Sequence, residues 1–285
     1  MHRSLRVLFL LGALSCAIPA VGQIVKIKGS DTLLPLAERW AQLYSKKDPA
    51  IRLVLSGGGS SVGIAALLKG DVDIAEASRP VNDSEKEQFT KEGKTLFEVT
   101  VASDAVEILV SPSNPISSLT MDQVRGIFTG KISNWKEAGG LDAKINLYGR
   151  ESASGTNAFL KDHALHGENY AATITEFSSN APMVAVVAKD PNGVCYAGLA
   201  SGKNAKHLLI KPDANSSAVE PTAQNVNANK YPLSRKLHWY LAARPAGKLK
   251  ELCAWILSPD GQTIAQHLGF VPLSADSMAA ERSHL

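Results

Sequence analysis

The sequence is poor in cysteine, in aromatic residues and in unbalanced charge. Only 3 of its 285 residues are cysteine, 6% are aromatic, and the formal net charge is +3. Basic residues form no cluster, which excludes a generic nucleic-acid-binding protein, because such proteins concentrate Lys and Arg on one surface. A hydrophobic content of 45% is sufficient for a sizeable core, and the length suits one large or two modest domains.

Motifs of several enzyme and nucleotide-binding classes are also missing. Gly57–Gly63 lacks the Lys-Ser/Thr pair of a P-loop. Ser154 lacks the flanking glycines of the G-x-S-x-G motif, and no His lies in a recognisable triad context. His163 and His166 are three positions apart, but no Cys, Asp or Glu motif accompanies them. We therefore predict neither a metal site nor a cofactor.

Long apolar segments are absent beyond the N-terminus. There, two arginines and the apolar run Val7–Leu14 precede the small residues of Ala20-Val21-Gly22, which is the pattern of a secretory signal peptide. The run is too short to span a bilayer as a stable helix. We predict that residues 1–22 form the signal peptide and that the mature protein is soluble in the periplasm. A lipid anchor at Cys16 is a less favoured alternative.

Two cysteines follow the predicted signal peptide, and each lies within an apolar stretch. Cys195 and Cys253 are 58 positions apart. An exported protein can pair such residues in a disulfide. We favour two free buried thiols, because cysteine is among the residues most often buried.

Strand-like and helix-like segments alternate along the chain. The strand Ile24–Lys28 precedes the helix Pro35–Tyr44, and Phe97–Ala102 and Ala105–Val110 are predicted as two strands. The composition of Lys211–Lys230 predicts a loop or a crossing between domains. The alternation predicts an α/β fold with mostly parallel sheets.

Three loops rich in Gly, Ser and Thr each lead directly into a helical pattern. They are Gly29-Ser30-Asp31-Thr32, Gly57-Gly58-Gly59-Ser60-Ser61, and Arg150 with Ser154-Gly155-Thr156. A helix N-terminus presents unpaired N–H groups and a partial positive charge, so it binds phosphate-like anions. Three such loops, one with an arginine, predict a single oxyanion held from several sides.

An ordered series of motifs runs over nearly the whole mature chain. The segments are Lys28-Gly29-Ser30-Asp31-Thr32, Gly59-Ser60-Ser61, Gly70-Asp71-Val72-Asp73-Ile74-Ala75, Ala77-Ser78-Arg79-Pro80, Ile127-Phe128-Thr129-Gly130, Arg150 with Ser154-Gly155-Thr156, Val194-Cys195-Tyr196-Ala197-Gly198 and Tyr231-Pro232-Leu233-Ser234-Arg235. This series resembles one family, the periplasmic phosphate-binding proteins of bacterial ABC importers (PstS-like). The resemblance implies the two-lobed type II periplasmic binding protein fold, with a ligand cleft between the lobes. Lobe 1 is expected at residues 23–102 and 236–285, and lobe 2 at residues 103–235.

The resemblance also implies a function and a set of ligand-binding residues. The protein is expected to be a monomeric, non-enzymatic receptor that captures inorganic phosphate and passes it to an ABC permease in the inner membrane, with no nucleic-acid partner. The expected ligand-binding residues are Asp31, Thr32, Ser61, Ser78, Arg79, Arg150, Ser154, Gly155 and Thr156. The planar fork of Arg150 suits two parallel bonds to an oxyanion. Arg79 is expected either to reach the anion or to pair with a carboxylate such as Glu76.

One departure from the family's pattern concerns the proton acceptor. Many members carry an Asp at the position of Ser78, where the carboxylate accepts a hydrogen bond from the proton that phosphate carries. Here Asp31 stands in the first loop instead, and we expect it to take over that role, since an ionised carboxylate can only accept hydrogen bonds. Three alternatives stay open: a phosphatase or esterase using Ser154, a receptor for sulfate or molybdate, and a surface or signalling protein without tight binding.

Overall fold

The structure, a computed structural model, describes residues 22–285. The predicted signal peptide therefore lies outside the described residues, except for Gly22, and so does the alternative lipid site at Cys16. Within residues 22–285, no helix combines the length and the apolar character needed to cross a bilayer.

Strands and helices alternate in the first part of the chain. The elements are β1 (Gln23–Gly29), α1 (Leu34–Lys47), β2 (Ile51–Ser56), α2 (Ser60–Lys69), β3 (Ile74–Ala77) and α3 (Asp83–Lys91). In β1, Val25 and Ile27 face the core while Ile24 and Lys26 face solvent, as the alternation of side chains along a strand requires. β1 pairs in parallel with β2 and β3, so their carboxyl ends meet at one edge.

A long strand leads into the middle of the chain. The elements are β4 (Phe97–Val110), β5 (Ser118–Thr120), α4 (Met121–Phe128), β6 (Asn146–Arg150), α5 (Gly155–His163), β7 (Thr175–Phe177), α6 (Asn180–Val187), β8 (Gly193–Gly198), β9 (Lys206–His207), β10 (Leu209–Lys211) and α7 (Ala223–Asn227). Short 3₁₀ segments lie at Trp135–Ala138 and Leu199–Ser201. β6 pairs in parallel with both β7 and β8.

The chain then returns through a second long strand and ends in helices. These elements are β11 (Ser234–Leu241), α8 (Gly247–Ile256), α9 (Pro259–His267) and α10 (Ala275–His284). The main sheet has nine strands in the order β2-β1-β3-β11-β4-β8-β6-β7, with β9 on β4, and β10 pairs with β5 separately. Each antiparallel pair of these strands includes β4 or β11, whereas the other pairs are parallel. β4 and β11 therefore join two parallel sheets.

Two main hydrophobic cores lie on either side of these crossing strands. The first core runs from Val25 to Ala102 and resumes at Leu237, and the second runs from Ala105 to Leu233, with Val271 added. The chain passes from one core to the other along β4, and it passes back at the start of β11. We propose these two places as the lobe boundaries, in accord with the division expected from the sequence.

Three elements differ from the sequence predictions. Phe97–Ala102 and Ala105–Val110 belong to one strand, because the intervening Asp104 is buried in an ion pair with β11 and does not end the strand. Helix α10 was not predicted, since none of its residues is fully buried and it therefore shows no apolar stripe. The predicted loop Lys211–Lys230 contains the short helix α7, whose N-cap is Thr222. Cys195 and Cys253 are buried free thiols, as predicted.

Candidate functional site

The three predicted loops meet at the carboxyl ends of the parallel strands. The loop after β2 bonds to the loop after β1 through the Gly59 N–H, which donates to the Gly29 carbonyl at 2.8 Å. It also bonds across the cleft, where the Ser61 N–H donates to the Ala153 carbonyl at 3.2 Å. Open α/β sheets bind ligands at this edge. The lobes are thus in contact around a shared set of loops.

Two glycines permit this close approach of the lobes. Gly59 has a φ of 96°, and a side chain there would collide with the Ala153 backbone of the facing loop. A side chain at Gly155 would collide with the hydroxyl of Ser60. Glycine is required at both places because only its missing Cβ leaves room, and at Gly59 also because of the left-handed backbone.

Arg150 is buried where β6 ends, with a side chain that is 2% exposed. Its Nη2 donates to Asp31 Oδ2 and to the Ser178 carbonyl, both at 2.7 Å. Its Nη1 donates to Asn180 Oδ1 at 2.6 Å, and its Nε to the Phe177 carbonyl at 3.2 Å. The guanidinium is therefore held rigidly in place, with the carboxylate of the first loop as its counter-ion.

Asp31 connects all three loops. One carboxylate oxygen accepts the Arg150 bond, and the other accepts the Gly58 N–H at 2.9 Å. The side chain is 15% exposed. A carboxylate oxygen has two lone pairs, so each oxygen of Asp31 can still accept another hydrogen bond. The structure places this acceptor beside the predicted anion-binding loops.

Two threonine hydroxyls face each other across the cleft. Thr32 Oγ1 of the first loop lies 3.0 Å from Thr156 Oγ1 at the start of α5. Behind them, Asn180 Nδ2 points to Thr32 Oγ1 at 3.5 Å, and Arg235 Nη1 donates to Thr156 Oγ1 at 3.0 Å. The hydroxyls of both predicted threonines are therefore brought together.

The start of α5 supplies the remaining groups on that side. Ser154 is its N-cap and accepts the Asn157 N–H at 3.4 Å, while the Asn157 side chain donates to the Arg150 carbonyl at 2.6 Å. Gly155 and Thr156 occupy the first helical turn, where backbone N–H groups have no acceptor within the helix. This end of α5 can therefore donate to an anion in the cleft.

Ser78 and Arg79 follow β3 and take different positions. The Ser78 N–H donates to Ser60 Oγ at 3.1 Å, which places the buried Ser78 against the start of α2. Arg79 pairs with both oxygens of Glu85 at 2.7 Å and donates to Ser61 Oγ at 2.9 Å. The carboxylate partner is thus Glu85 and not Glu76, and Arg79 reaches the loop through the Ser61 hydroxyl.

Glu76 is fully buried beneath the first loop, and its backbone carbonyl accepts the Ser30 N–H at 2.9 Å. Its Oε1 accepts the indole N–H of Trp239 at 3.0 Å. Burial raises the pKa of Glu76 to about 8, with smaller contributions from the negative charges of Glu38 and Asp31. The uncharged form of the side chain is therefore favoured at neutral pH.

The charges around the loops are balanced in pairs. Arg150 pairs with Asp31, Arg79 with Glu85, and a third guanidinium, Arg235, with Asp104. These pairs therefore leave no net basic charge that could attract an anion. The groups here that can attract an anion are oriented N–H and O–H donors and the N-termini of α1, α2 and α5, where the helix dipoles are positive.

Three buried residues of the candidate site were not predicted from the sequence. Asn180, Asp104 and Arg235 bond directly to Arg150 or Thr156, or to a residue that does. The sequence contains a signal for two of these residues, Asp104 and Arg235. Asp104 interrupts an otherwise apolar strand pattern, and Arg235 ends one of the matching motifs. No local pattern singles out Asn180.

Metal ligation finds no support in the described geometry. Among residues 22–285, no three His, Cys, Asp or Glu side chains come together as ligands. His163 instead has its Nδ1 within 3.1 Å of the Phe159 carbonyl and stacks on the Phe159 ring.

Comparison with known proteins agrees with this geometry. A family model described as a PBP superfamily domain matches residues 17–260. The phosphate-binding protein PstS of Pseudomonas aeruginosa is 33% identical over 265 residues, which cover 87% of this chain and 82% of the relative. PstS of Bacillus subtilis is 32% identical over 249 residues, covering 87% and 80%. This chain belongs to the PstS family.

Solved structures related to the PstS family share the fold. A protein from Clostridium perfringens, described as a phosphate ABC transporter substrate-binding protein with bound phosphate, is 27% identical, with a TM-score of 0.79 over 88% of this chain and 100% of that one. A protein described as an ABC-type phosphate transport receptor from Vibrio cholerae is 29% identical, with a TM-score of 0.73 over 87% of this chain and 99% of that one. The predicted family and the two-lobed α/β fold are thus confirmed.

Proposed function

We propose that this protein captures inorganic phosphate between its lobes and delivers it to an ABC permease in the inner membrane. The convergence of three donor-rich loops with a buried, rigidly held Arg150 carries the proposal. The names of the relatives support it, since the PstS proteins and the Vibrio cholerae receptor are described as phosphate-binding or phosphate-transporting. The protein is a binding protein and not an enzyme, and Ser154 serves as a helix cap.

The proposed ligand-binding residues fall into three groups. Donors on the lobe 2 side are Arg150, Ser154, Gly155 and Thr156. Those on the lobe 1 side are Thr32, Ser61 and Ser78, with Arg79 acting through Ser61. Closure of the lobes brings the two sides together, and preformed donors keep the ordering cost of binding low.

Asp31 is the proposed acceptor that distinguishes phosphate. At neutral pH phosphate still carries a proton that it can donate in a hydrogen bond to the carboxylate, whereas sulfate carries none. A fully deprotonated oxyanion meets an unpaired, repulsive contact at Asp31. The site is therefore proposed to prefer phosphate over sulfate.

The export route and the assembly state complete the proposal. The N-terminal sequence pattern supports secretion to the periplasm, where a monomer meets the permease. Mass spectrometry of the mature protein tests the processing, because cleavage after Gly22 leaves Gln23 as the first residue, whereas a lipidated Cys16 adds the mass of acyl chains.

One titration experiment tests the central proposal. Purified mature protein is titrated calorimetrically with phosphate, sulfate, molybdate and a phosphomonoester, and phosphate release is assayed in parallel. Micromolar or tighter phosphate binding without turnover supports the receptor. Preferred binding of sulfate or molybdate contradicts the anion assignment, and turnover that Ser154→Ala abolishes contradicts the assignment as a receptor.

A further inference from the structure

Arg235 touches both lobes from the second crossing strand. It lies at the start of β11, and its side chain is 1% exposed. Its Nη1 donates to the Ser78 carbonyl at 3.1 Å and to Thr156 Oγ1 at 3.0 Å. Ser78 follows β3 in one sheet, whereas Thr156 begins α5 beside the other. A single nitrogen therefore joins two of the anion-binding segments.

Asp104 fixes the orientation of this guanidinium. Nε and Nη2 of Arg235 donate to Asp104 Oδ2 at 2.9 and 2.7 Å, and Asp104 Oδ1 accepts the Leu199 N–H at 3.1 Å. The two residues face each other in the register of β4 and β11, the strands that cross between the lobes. Because both partners lie on these neighbouring strands, the pair can persist whether the lobes are open or closed. Nη1 is the nitrogen that bonds to the ligand loops.

The bond to Thr156 determines what that hydroxyl can do. A guanidinium has only donors, so Thr156 Oγ1 is the acceptor of the Arg235 bond. The Thr156 hydroxyl proton must then point elsewhere, either to Thr32 Oγ1 at 3.0 Å or to an anion in the cleft. The bond from Arg235 thus makes Thr156 a donor toward the cleft.

We propose that Arg235, held by Asp104, is a positioning residue that orients the Thr156 hydroxyl toward bound phosphate and links the ligand loops of the two lobes. Arg235 acts through Thr156 and does not itself need to touch the anion. This inference rests on the proposed phosphate-binding function. It assigns a role to a residue whose charge the Asp104 carboxylate already neutralises.

A double-mutant cycle tests the proposal. Phosphate affinity is measured by calorimetry for the wild type, Arg235→Lys, Thr156→Val and the double variant. Lysine keeps the charge but lacks the fork that bonds Asp104 and Thr156 together. We expect a loss of about 10- to 100-fold in affinity for Arg235→Lys, and a further loss under about 3-fold when Thr156 is already Val, because coupled residues are not additive.

Controls separate positioning from general destabilisation. Arg125→Lys changes a half-buried arginine of α4 that pairs with Glu168, and it is expected to leave phosphate affinity unchanged. Thr156→Ser keeps the hydroxyl and is expected to retain affinity within about 3-fold, in contrast to Thr156→Val. Thermal unfolding of each variant shows that the compared proteins are folded.

The outcomes that overturn the inference are distinct from those that overturn the function. Equal fold-losses for Arg235→Lys in the wild-type and Thr156→Val backgrounds would contradict positioning through Thr156, as would an unchanged affinity for Arg235→Lys. If Arg235→Lys does not fold, Asp104→Asn replaces it in the same cycle, and additive losses there overturn the proposal equally. Absence of phosphate binding by the wild type refutes the proposed function itself.

Discussion

Asp31 Oδ2 lies 2.7 Å from Arg150 Nη2, which places a carboxylate of lobe 1 against the buried guanidinium of lobe 2. The two residues are 119 positions apart in the chain. This pair neutralises the arginine that the proposed site presents to its anion. It also gives the carboxylate a fixed direction, because the Gly58 N–H holds the second oxygen. Affinity and selectivity are therefore expected to depend on different members of the pair.

Replacing Asp31 with asparagine tests the selectivity. The amide can donate to a deprotonated oxyanion, so Asp31→Asn removes the repulsion that sulfate meets. We expect the ratio of phosphate to sulfate affinity to fall by about 10-fold or more, the size of a lost charged hydrogen bond. Calorimetric titration with each anion measures the ratio. Asp122→Asn, an exposed residue of α4, is the control. An unchanged ratio would show that Asp31 does not accept a hydrogen bond from the proton of phosphate.

Replacing Arg150 with alanine tests the affinity. Arg150→Ala removes charge-assisted donors and leaves Asp31 without its counter-ion, so we expect phosphate binding to weaken by about 2–5 kcal/mol. Phosphate calorimetry is the measurement, together with circular dichroism to establish the fold. Arg125→Ala, which breaks an ion pair of lower burial in the same lobe, is the matched control. An affinity equal to that of the wild type removes Arg150 from the site.

Glu76 predicts a pH dependence of stability. Its pKa is raised by burial to about 8 from an ordinary value of 4.5, so between these values the folded protein keeps a proton that the unfolded chain has lost. This contribution to stability is complete below pH 4.5 and is lost as the pH rises to about 8, with a slope of up to about 1.4 kcal/mol per pH unit.

Glu76→Gln cannot ionise and is expected to remove this part of the slope. Denaturant unfolding of the wild type and the variant from pH 5 to 9 measures it. Exposed Glu220→Gln is the control, because Glu220 is not among the charges that shift the pKa of Glu76. Parallel stability curves for wild type and Glu76→Gln would contradict the assignment of a raised pKa.

The three loops that meet at the candidate site could be recognised from the sequence because their signals are local. Glycines and hydroxyl residues before a helical pattern indicate a helix N-terminus, and Arg150 is followed closely by Ser154-Gly155-Thr156. The pair of Arg235 and Asp104 could not be predicted, because its partners are 131 positions apart and meet only through the pairing of β11 with β4. Helix α10 was missed for a different reason, since its polar surface carries no periodic signal.

The ion-pair partner of Arg79 also could not be predicted from a local sequence pattern. The sequence placed this residue in the loop after β3 but left its partner open. The capping box at the start of α3 places Glu85 beside Asn82, and the Glu85 carboxylate then faces the guanidinium. The choice between neighbouring carboxylates is thus decided by the helix that positions them, which a spacing pattern does not reveal.

The last prediction concerns Gly59 and the closure of the lobes. Its Cβ position collides with the Ala153 backbone only because the facing loop of lobe 2 lies against it. Gly59→Ala is therefore expected to obstruct closure and to reduce phosphate affinity by about 100-fold or more. The unfolding temperature is expected to fall only slightly, because the clash is relieved when the lobes open. Gly70→Ala is the matched control, since Gly70 has a φ of 79° but no atoms within 4 Å of its Cβ position. Alanine at Gly70 carries a left-handed backbone strain of about 1 kcal/mol without a contact between lobes, so this variant should leave affinity unchanged. Equal affinity losses in the two variants would assign the effect to backbone strain and not to closure.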